Sequence, residues 1–504
     1  MYQGVQLLRT RPKPANLGEL SQSSESEDPD THVSLHALTN RKKREKTSSG
    51  KVYSSIKFPV PVCPGNGSNL TNLHSSSLCL VTRQASGLLH KRHSNNFTDW
   101  ILKRQSGLLK GGAGFSNTDK CILVNAKLPR KANLLDTYES KAFSGIFSHD
   151  GNLLLTASQY RFLRLYDSSN GKMYKLIKTI EGRDVRWSVL GTAFALNSSH
   201  FAYSSWSPCV ALVNIENDTY SEVSLDLCPV EQRIAVFSLQ FGNSGNMILC
   251  GANDGFIYLY NLGSNERLLR VHGHDDDLNA VAFADNSSQI FYTGGDDGMC
   301  KVWDIRTLTE SSPKPVGILA GHMGGIVHID SKGDARHLIS NSKDQTIKLW
   351  DIRVLSNQKV LDHAKHILSL YAWDYRWQKA PKAFNNEKNM VKGDTSLATY
   401  RSHVVQQTHI RCHFSPAFTT GQRFIYTGCA YGKVVIYDLL TGRDILHLTG
   451  HKSCVRDVSW HPYRTEIISS SWDHSVFSYS NLRFKCKLVE GTSDVRRHIL
   501  SSRC

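Results

Sequence analysis

Residues 291–306 read FYTGGDDGMCKVWDIR, and residues 338–353 read LISNSKDQTIKLWDIR. Both copies end on the same tetrapeptide, and Trp303 and Trp350 stand 47 residues apart. Within each copy a short apolar run, a polar turn around an aspartate and a second alternating run describe two half-buried strands joined by a tight turn. Strand pairs repeating at this period are the mark of four-stranded propeller blades. Gly273-His274 and Gly321-His322 precede the two copies. A His, a strand hydroxyl, a turn Asp and a Trp at these spacings form one hydrogen-bonded chain, which satisfies polar groups that would be costly to bury alone. His322, Ser340, Asp344 and Trp350 are therefore expected to be structural.

The position of the Trp is found again as Tyr166, Val213, Tyr260, Tyr437 and Tyr479. Seven marks imply an all-β fold, a seven-bladed β-propeller. The turn Asp is kept as Asp254 and Asp473 and lost at Tyr160, Ser207 and Tyr431, so blades four, five and seven carry the fullest pattern. Trp350 and Tyr437 are 87 residues apart, nearly twice the period. No second strand pair is visible between them, and 354–402 reads as a long insertion between blades five and six. It contains WDYRW at 373–377, a third match to the tetrapeptide, with Ile367 where a turn Asp would stand. The β-prone residues 121–124 (CILV) are placed to add a strand to the last blade and close the ring, which would remove exposed sheet edges.

The propeller is thus expected over 119–482, with a tail at 483–504. Residues 1–118 are rich in Ser, Asn and Gly and read as a mostly disordered basic arm, with helical spacing at 97–109. The chain has a formal charge of +16, and its first 130 residues hold 19 Lys and Arg against 8 Asp and Glu. The repeats themselves are only mildly basic, so no dedicated nucleic-acid groove is indicated. An acidic stretch at 21–30 precedes RKKREK at 41–46, a candidate nuclear signal; a distribution between nucleus and cytoplasm is expected. No apolar run is long enough to span a bilayer, and no membrane partner is expected.

Twelve cysteines stand singly, without a C-x-x-C pair, so neither a zinc site nor a disulfide framework is suggested. H-E-x-x-H, a G-x-x-x-x-G-K phosphate loop and G-x-S-x-G are all missing from the sequence. The glycine cluster at 111–114 reads as a linker. A non-catalytic protein without metal or cofactor is expected.

The tandem copies resemble the sixteen-residue box of WD-repeat substrate receptors in cullin-4 ubiquitin ligases, with the Asp, the Trp-Asp pair and the Arg at fixed offsets. Tyr292, Cys300 and Asn341 are departures from it. Residues 141–147, 273–285, 330–336, 373–378 and 454–462 are more narrowly similar to the associated-factor-eleven family, also called WD-repeat protein twenty-three. The likeness runs from about 80 to 480; the first 80 residues depart from that family's acidic N-terminal region. The resemblance implies a receptor that binds the adaptor damaged-DNA-binding protein one, and through it cullin-4, to present a protein target such as a stress-response transcription factor. It assigns adaptor binding to Asp297, Trp303, Asp304, Arg306, Asp344, Trp350, Asp351 and Arg353. A general scaffold and a nucleic-acid-associated protein are the alternatives.

Strand order puts Arg306 and Arg353 on one rim, the lower, where they are suited to an acidic partner surface or to internal pairing with Asp304 and Asp351. The second-to-third-strand turns emerge at the opposite, upper rim and carry Trp206, Lys343 and Trp472. Tryptophan is enriched at binding hot spots, which makes Trp206 and Trp472 the candidate substrate contacts, with Lys343 beside them.

Overall fold

Twenty-eight strands form seven four-stranded antiparallel sheets in a computed structural model that describes residues 73–89, 97–107, 114–171, 173–215, 221–228, 234–371, 373–385 and 390–481. The candidate nuclear signal at 41–46 and the tail expected from 483 lie outside these residues. Six blades use consecutive strands, at 142–181, 191–226, 236–272, 278–320, 326–400 and 412–449. The seventh takes three strands from 455–480 and its fourth from the segment just ahead of blade one: β1 (Lys131–Thr137) pairs antiparallel with β28 (Ser475–Ser480). Side chains alternate along each strand, so both faces of a blade are buried against its neighbours and the apolar clusters lie between blades.

The closing strand is therefore not 121–124. Those residues belong to a helix, Asn117–Asn125, because the sequence before them is a capping box: the Ser116 hydroxyl accepts the Asp119 N–H at 3.2 Å and the Asp119 carboxylate accepts the Ser116 N–H at 3.0 Å. Cap chemistry overrides the β-propensity of the Cys-Ile-Leu-Val run. A polar clasp holds the seam. Arg164 of blade one donates to Asp136 of β1 at 2.5 Å, Tyr166 donates to the same carboxylate, and Tyr138 shares a 2.5 Å hydrogen bond with Thr156.

Three blades contain a polar relay. In blade five the Asp344 carboxylate accepts from His322 Nδ1 at 3.0 Å, His322 Nε2 lies 2.7 Å from Ser340 Oγ, and Trp350 Nε1 donates to Ser340 Oγ at 2.7 Å. Blade four repeats this with His274, Asp297, Thr293 and Trp303, and blade seven with His451, Asp473 and Ser469. One neutral imidazole, donating at Nδ1 and accepting at Nε2, satisfies every member. Burial lowers the pKa of His274, which favours that neutral form. Burial would raise Asp344, but His322, Thr346 and the Met323 N–H together hold it well below the usual carboxylate range.

Blade six lacks the relay and replaces it. His403 Nδ1 lies 2.9 Å from the Tyr437 hydroxyl, and His403 Nε2 lies 2.9 Å from Asn341 Oδ1 in blade five. Asn341 Nδ2 also donates to the Ile410 carbonyl at 2.9 Å. The departure of Asn341 from the box thus has a use, since it ties blades five and six together.

The insertion also lies elsewhere than expected. Ala398–Tyr400 pairs with β20 (Ile347–Asp351) as the fourth strand of blade five, so the extra chain falls within that blade, between its third and fourth strands. A strand of three residues gives too weak an alternation to be seen in the sequence. The inserted chain forms a helix, Gln358–Leu370, started by Asn357, whose side chain accepts the Val360 N–H at 3.1 Å. Its apolar face (Val360, Ala364, Ile367) packs with Met299 and Ala320 of blade four and with Met323 of the segment leading into blade five. Gly298, at φ +71°, makes this contact possible: a Cβ there would lie 2.7 Å from Leu368.

Candidate functional site

The lower rim is formed where each third strand ends. After Trp303 the chain turns sharply because the Asp304 side chain accepts the Arg306 N–H at 3.0 Å. The same carboxylate then receives Arg306 Nε at 2.9 Å and Nη2 at 2.6 Å. Asp351 repeats the turn with Arg353, whose N–H and Nη2 both donate at 3.1 Å. The aspartates thus pair with arginines of their own blade and aim them outward, leaving the Arg306 and Arg353 side chains 65% and 64% exposed. Asp351 is held from behind by Arg336 at 2.7 Å.

The structure divides the eight box residues into two groups. Trp303 and Trp350 are fully buried, Asp344 is buried and Asp297 nearly so. They belong to the relays that hold the blades together and offer almost no surface to a partner. Only Arg306 and Arg353, with the flanks of Asp304, reach the surface.

A helix not foreseen in the sequence stands beside the Asp351–Arg353 fork. Ser77–Ala85, labelled α1, is capped by Ser76 and inserts Leu73, Leu78 and Cys79 into a cluster with Leu439 and Leu440 of blade six. Arg336 Nη1 donates to Ser77 Oγ at 2.8 Å, so one guanidinium holds both this helix and the box aspartate. The outer side of α1 exposes Leu80 at 59% and Val81 at 55% beside Ser77, Arg83 and Gln84, and exposed Leu88 and Leu89 follow. Apolar residues at mixed spacing in a Ser-rich stretch hid this helix. The helix expected near 97–109 runs Phe97–Gln105.

The upper rim is organised by rings. Trp187 and Trp206 meet edge to face at 5.6 Å, Trp206 meets Phe237 at 5.8 Å, Phe237 meets His409 at 5.4 Å, and His409 stacks on Tyr375 at 6.0 Å. Phe237 belongs to the inner strand of blade three and His409 precedes that of blade six, so the row crosses the mouth of the central channel. Trp187 is 66% exposed and holds a left-handed backbone at φ +64°. Such strain in a bulky residue costs about 1–3 kcal/mol and is concentrated at functional sites.

The candidate substrate residues divide here as well. Trp206 lies within the row. Trp472 is sandwiched, stacked on Phe143 at 5.9 Å with Lys141 Nζ 3.9 Å from its ring centre, and serves as packing at the rim. Lys343 bonds to Asp296 at 2.7 Å and lies 4.2 Å over the Tyr375 ring. Burial would lower Lys343, but Asp296 keeps it charged. Burial drives His409 down to about 3, so the row itself is uncharged at neutral pH.

Trp187, Phe237, His409 and Tyr375 were not singled out in the sequence. Tyr375 comes from the WDYRW segment, whose Asp374 and Arg376 form the same fork as the boxes, at 2.9 and 2.8 Å. That third match is no blade; it is a loop that the insertion carries to the upper rim, where the Gln407 N–H donates to the Tyr375 carbonyl at 3.0 Å. Among the described residues no group of His, Cys, Asp or Glu could hold a metal ion, and no helix is long and apolar enough to cross a membrane.

Comparison with known proteins agrees with this architecture. The WD domain, G-beta repeat model matches 265–304, 313–351 and 442–480, the segments that end in the three relay blades. A Caenorhabditis elegans protein described as a DDB1- and CUL4-associated factor 11 homolog is 38% identical over 75% of this chain and 67% of its own length. A LEC14B homolog of Prunus armeniaca is 37% identical over 73% of this chain and 78% of its own. The LEC14B protein of Lithospermum erythrorhizon is 36% identical over 84% and 90%.

Proposed function

This chain belongs to the family of DDB1- and CUL4-associated factor 11, and from that premise we propose that it is a substrate receptor of a cullin-4 ubiquitin ligase. The lower rim binds the adaptor, DDB1, and the upper rim holds a protein target. The receptor does no chemistry of its own; it raises the concentration of the target near the recruited conjugating enzyme. The observation that carries this reading is the pair of outward forks, Arg306 on Asp304 and Arg353 on Asp351, on neighbouring blades. A guanidinium already oriented by a carboxylate loses little freedom when it meets acceptors on a partner. Exposed Leu80 and Val81 of α1 add non-polar contact area on the same rim.

Purified adaptor should be captured by the wild-type protein and lost from the Arg306→Ala, Arg353→Ala double variant while its thermal unfolding is unchanged. Leu80→Asp with Val81→Asp should weaken capture independently. Failure of the folded wild-type protein to capture adaptor would leave a general scaffold as the better reading. Stress-response transcription factors, the target class implied by the resemblance, are the first to test on the upper rim.

A further inference from the structure

The upper rim joins an uncharged row of rings to ends of opposite sign. Along the row the charges closest to the rings already have partners: Lys343 has Asp296, Arg376 has Asp374, Arg411 donates to Asp457 at 3.0 Å, and buried Arg456 donates to the Phe143 and Leu190 carbonyls. A ligand there gains little from new ion pairs and is held by apolar contact with the rings.

The ends differ. Beside Trp187 stands exposed Arg186. In the neighbouring loops Lys141 has exposed Glu139 two residues away, Arg161 pairs with Glu181 at 3.4 Å and Arg183 is followed by exposed Asp184, so Arg186 is the surplus cation of this end. Near Tyr375 the loop leading into blade four exposes Asp275 and Asp276. The Asp277 carbonyl of that loop accepts the Asp296 N–H at 2.9 Å, and Asp296 pairs with the Lys343 that lies over the Tyr375 ring, which fixes the acidic loop at this end. Lys365 only partly offsets it, in an exposed pair with Asp275 at 3.8 Å.

We propose that the upper rim binds an extended protein segment of divided charge: acidic where it crosses blades one and two, apolar or aromatic over the ring row, and basic over the 275–277 loop. Complementarity of this kind fixes direction and register on an otherwise sequence-tolerant aromatic surface. The inference rests on the receptor reading for its purpose, but not for its test.

The test uses the full chain and four fluorescein-labelled synthetic peptides of equal length with one shared Leu/Trp core, read by fluorescence anisotropy. Their flanks are acidic on one side and basic on the other, acidic on both, basic on both, or alternating. The divided peptide should bind about tenfold more tightly than the rest, a difference of about 1.4 kcal/mol. Arg186→Glu should move the preference to the peptide with basic flanks, and Asp275→Lys with Asp276→Lys to the one with acidic flanks. Trp187→Ala should weaken every peptide. All three sites are exposed, and unchanged unfolding temperatures confirm the fold. Equal binding of the doubly acidic peptide, no shift in preference, indifference to Trp187→Ala, or no binding at all would overturn the proposal. Adaptor capture is measured on the same preparation, so loss of the receptor reading is seen separately.

Discussion

The two rims are made from different parts of the repeat. On the lower rim Arg306 and Arg353 sit at a fixed offset from the Trp-Asp pair, and the same hydrogen bonds that end each third strand aim them outward. On the upper rim the rings come from a blade-to-blade loop, a strand turn, two inner strands or their approaches, and an insertion in blade five. A surface built by the repeat is shared by any chain with the box. A surface built by the exceptions belongs to this protein, which suits a common adaptor on one side and a particular target on the other.

The sharpest break between the buried and exposed halves of one box is Trp350→Ala against Arg353→Ala. Trp350 is wholly buried and ends the blade-five relay. Its removal should cost about 3–5 kcal/mol by cavity formation, besides leaving the Ser340 hydroxyl short of a donor. Arg353 is mostly exposed, and its removal should change stability by no more than about 1 kcal/mol. Chemical denaturation measures both. Adaptor capture should fall in both variants, through unfolding in the first and through lost contact in the second. Equal stability losses would mean that the exposed fork is a structural element and not a binding one.

The lower rim was legible because its residues follow the period. Seven marks gave seven blades, and the offset of two from Trp to Arg placed Arg306 and Arg353 correctly on one side. What the sequence hid lies where local signals compete. At 117–125 a capping box outweighed the β-propensity of Cys121 to Val124. At Ala398–Tyr400 the strand was too short to show alternation. Trp187 and Tyr375 share a surface only through the closure of the ring and the path of the insertion, and neither is a local property of the chain.

Blade six marks a second division, between relays held by aspartate and the one held by Asn341. Burial drives His403 down to about 4, well below the roughly 6.5 of an unfolded histidine. The unfolded chain therefore takes up a proton first as pH falls. The contribution of His403 is complete above about pH 6.5 and is lost progressively toward pH 4, the loss amounting to about 2 kcal/mol at pH 5. Urea denaturation of His403→Gln at pH 7 and pH 5 should show a shallower loss than the wild type by roughly that amount. An unchanged pH slope would show that His403 is already open to protons in the folded state.

The smallest expected effect tests whether rim or motif decides adaptor binding. Asp374 and Arg376 reproduce the box fork almost bond for bond, with the Arg376 N–H donating to Asp374 at 2.9 Å and the guanidinium closing on the same carboxylate. The Arg376 side chain is 62% exposed, close to Arg306 and Arg353. It differs only in place, since the insertion carries it to the upper rim beside Tyr375. If the adaptor recognises a fork wherever it is presented, Arg376→Ala should weaken capture as Arg353→Ala does. If recognition needs two forks on adjacent blades together with Leu80 and Val81 of α1, Arg376→Ala should leave capture unchanged and alter only what binds over the rings. The second outcome is expected: a lone exposed ion pair carries little energy, and three features on one rim add contact area as well as charge.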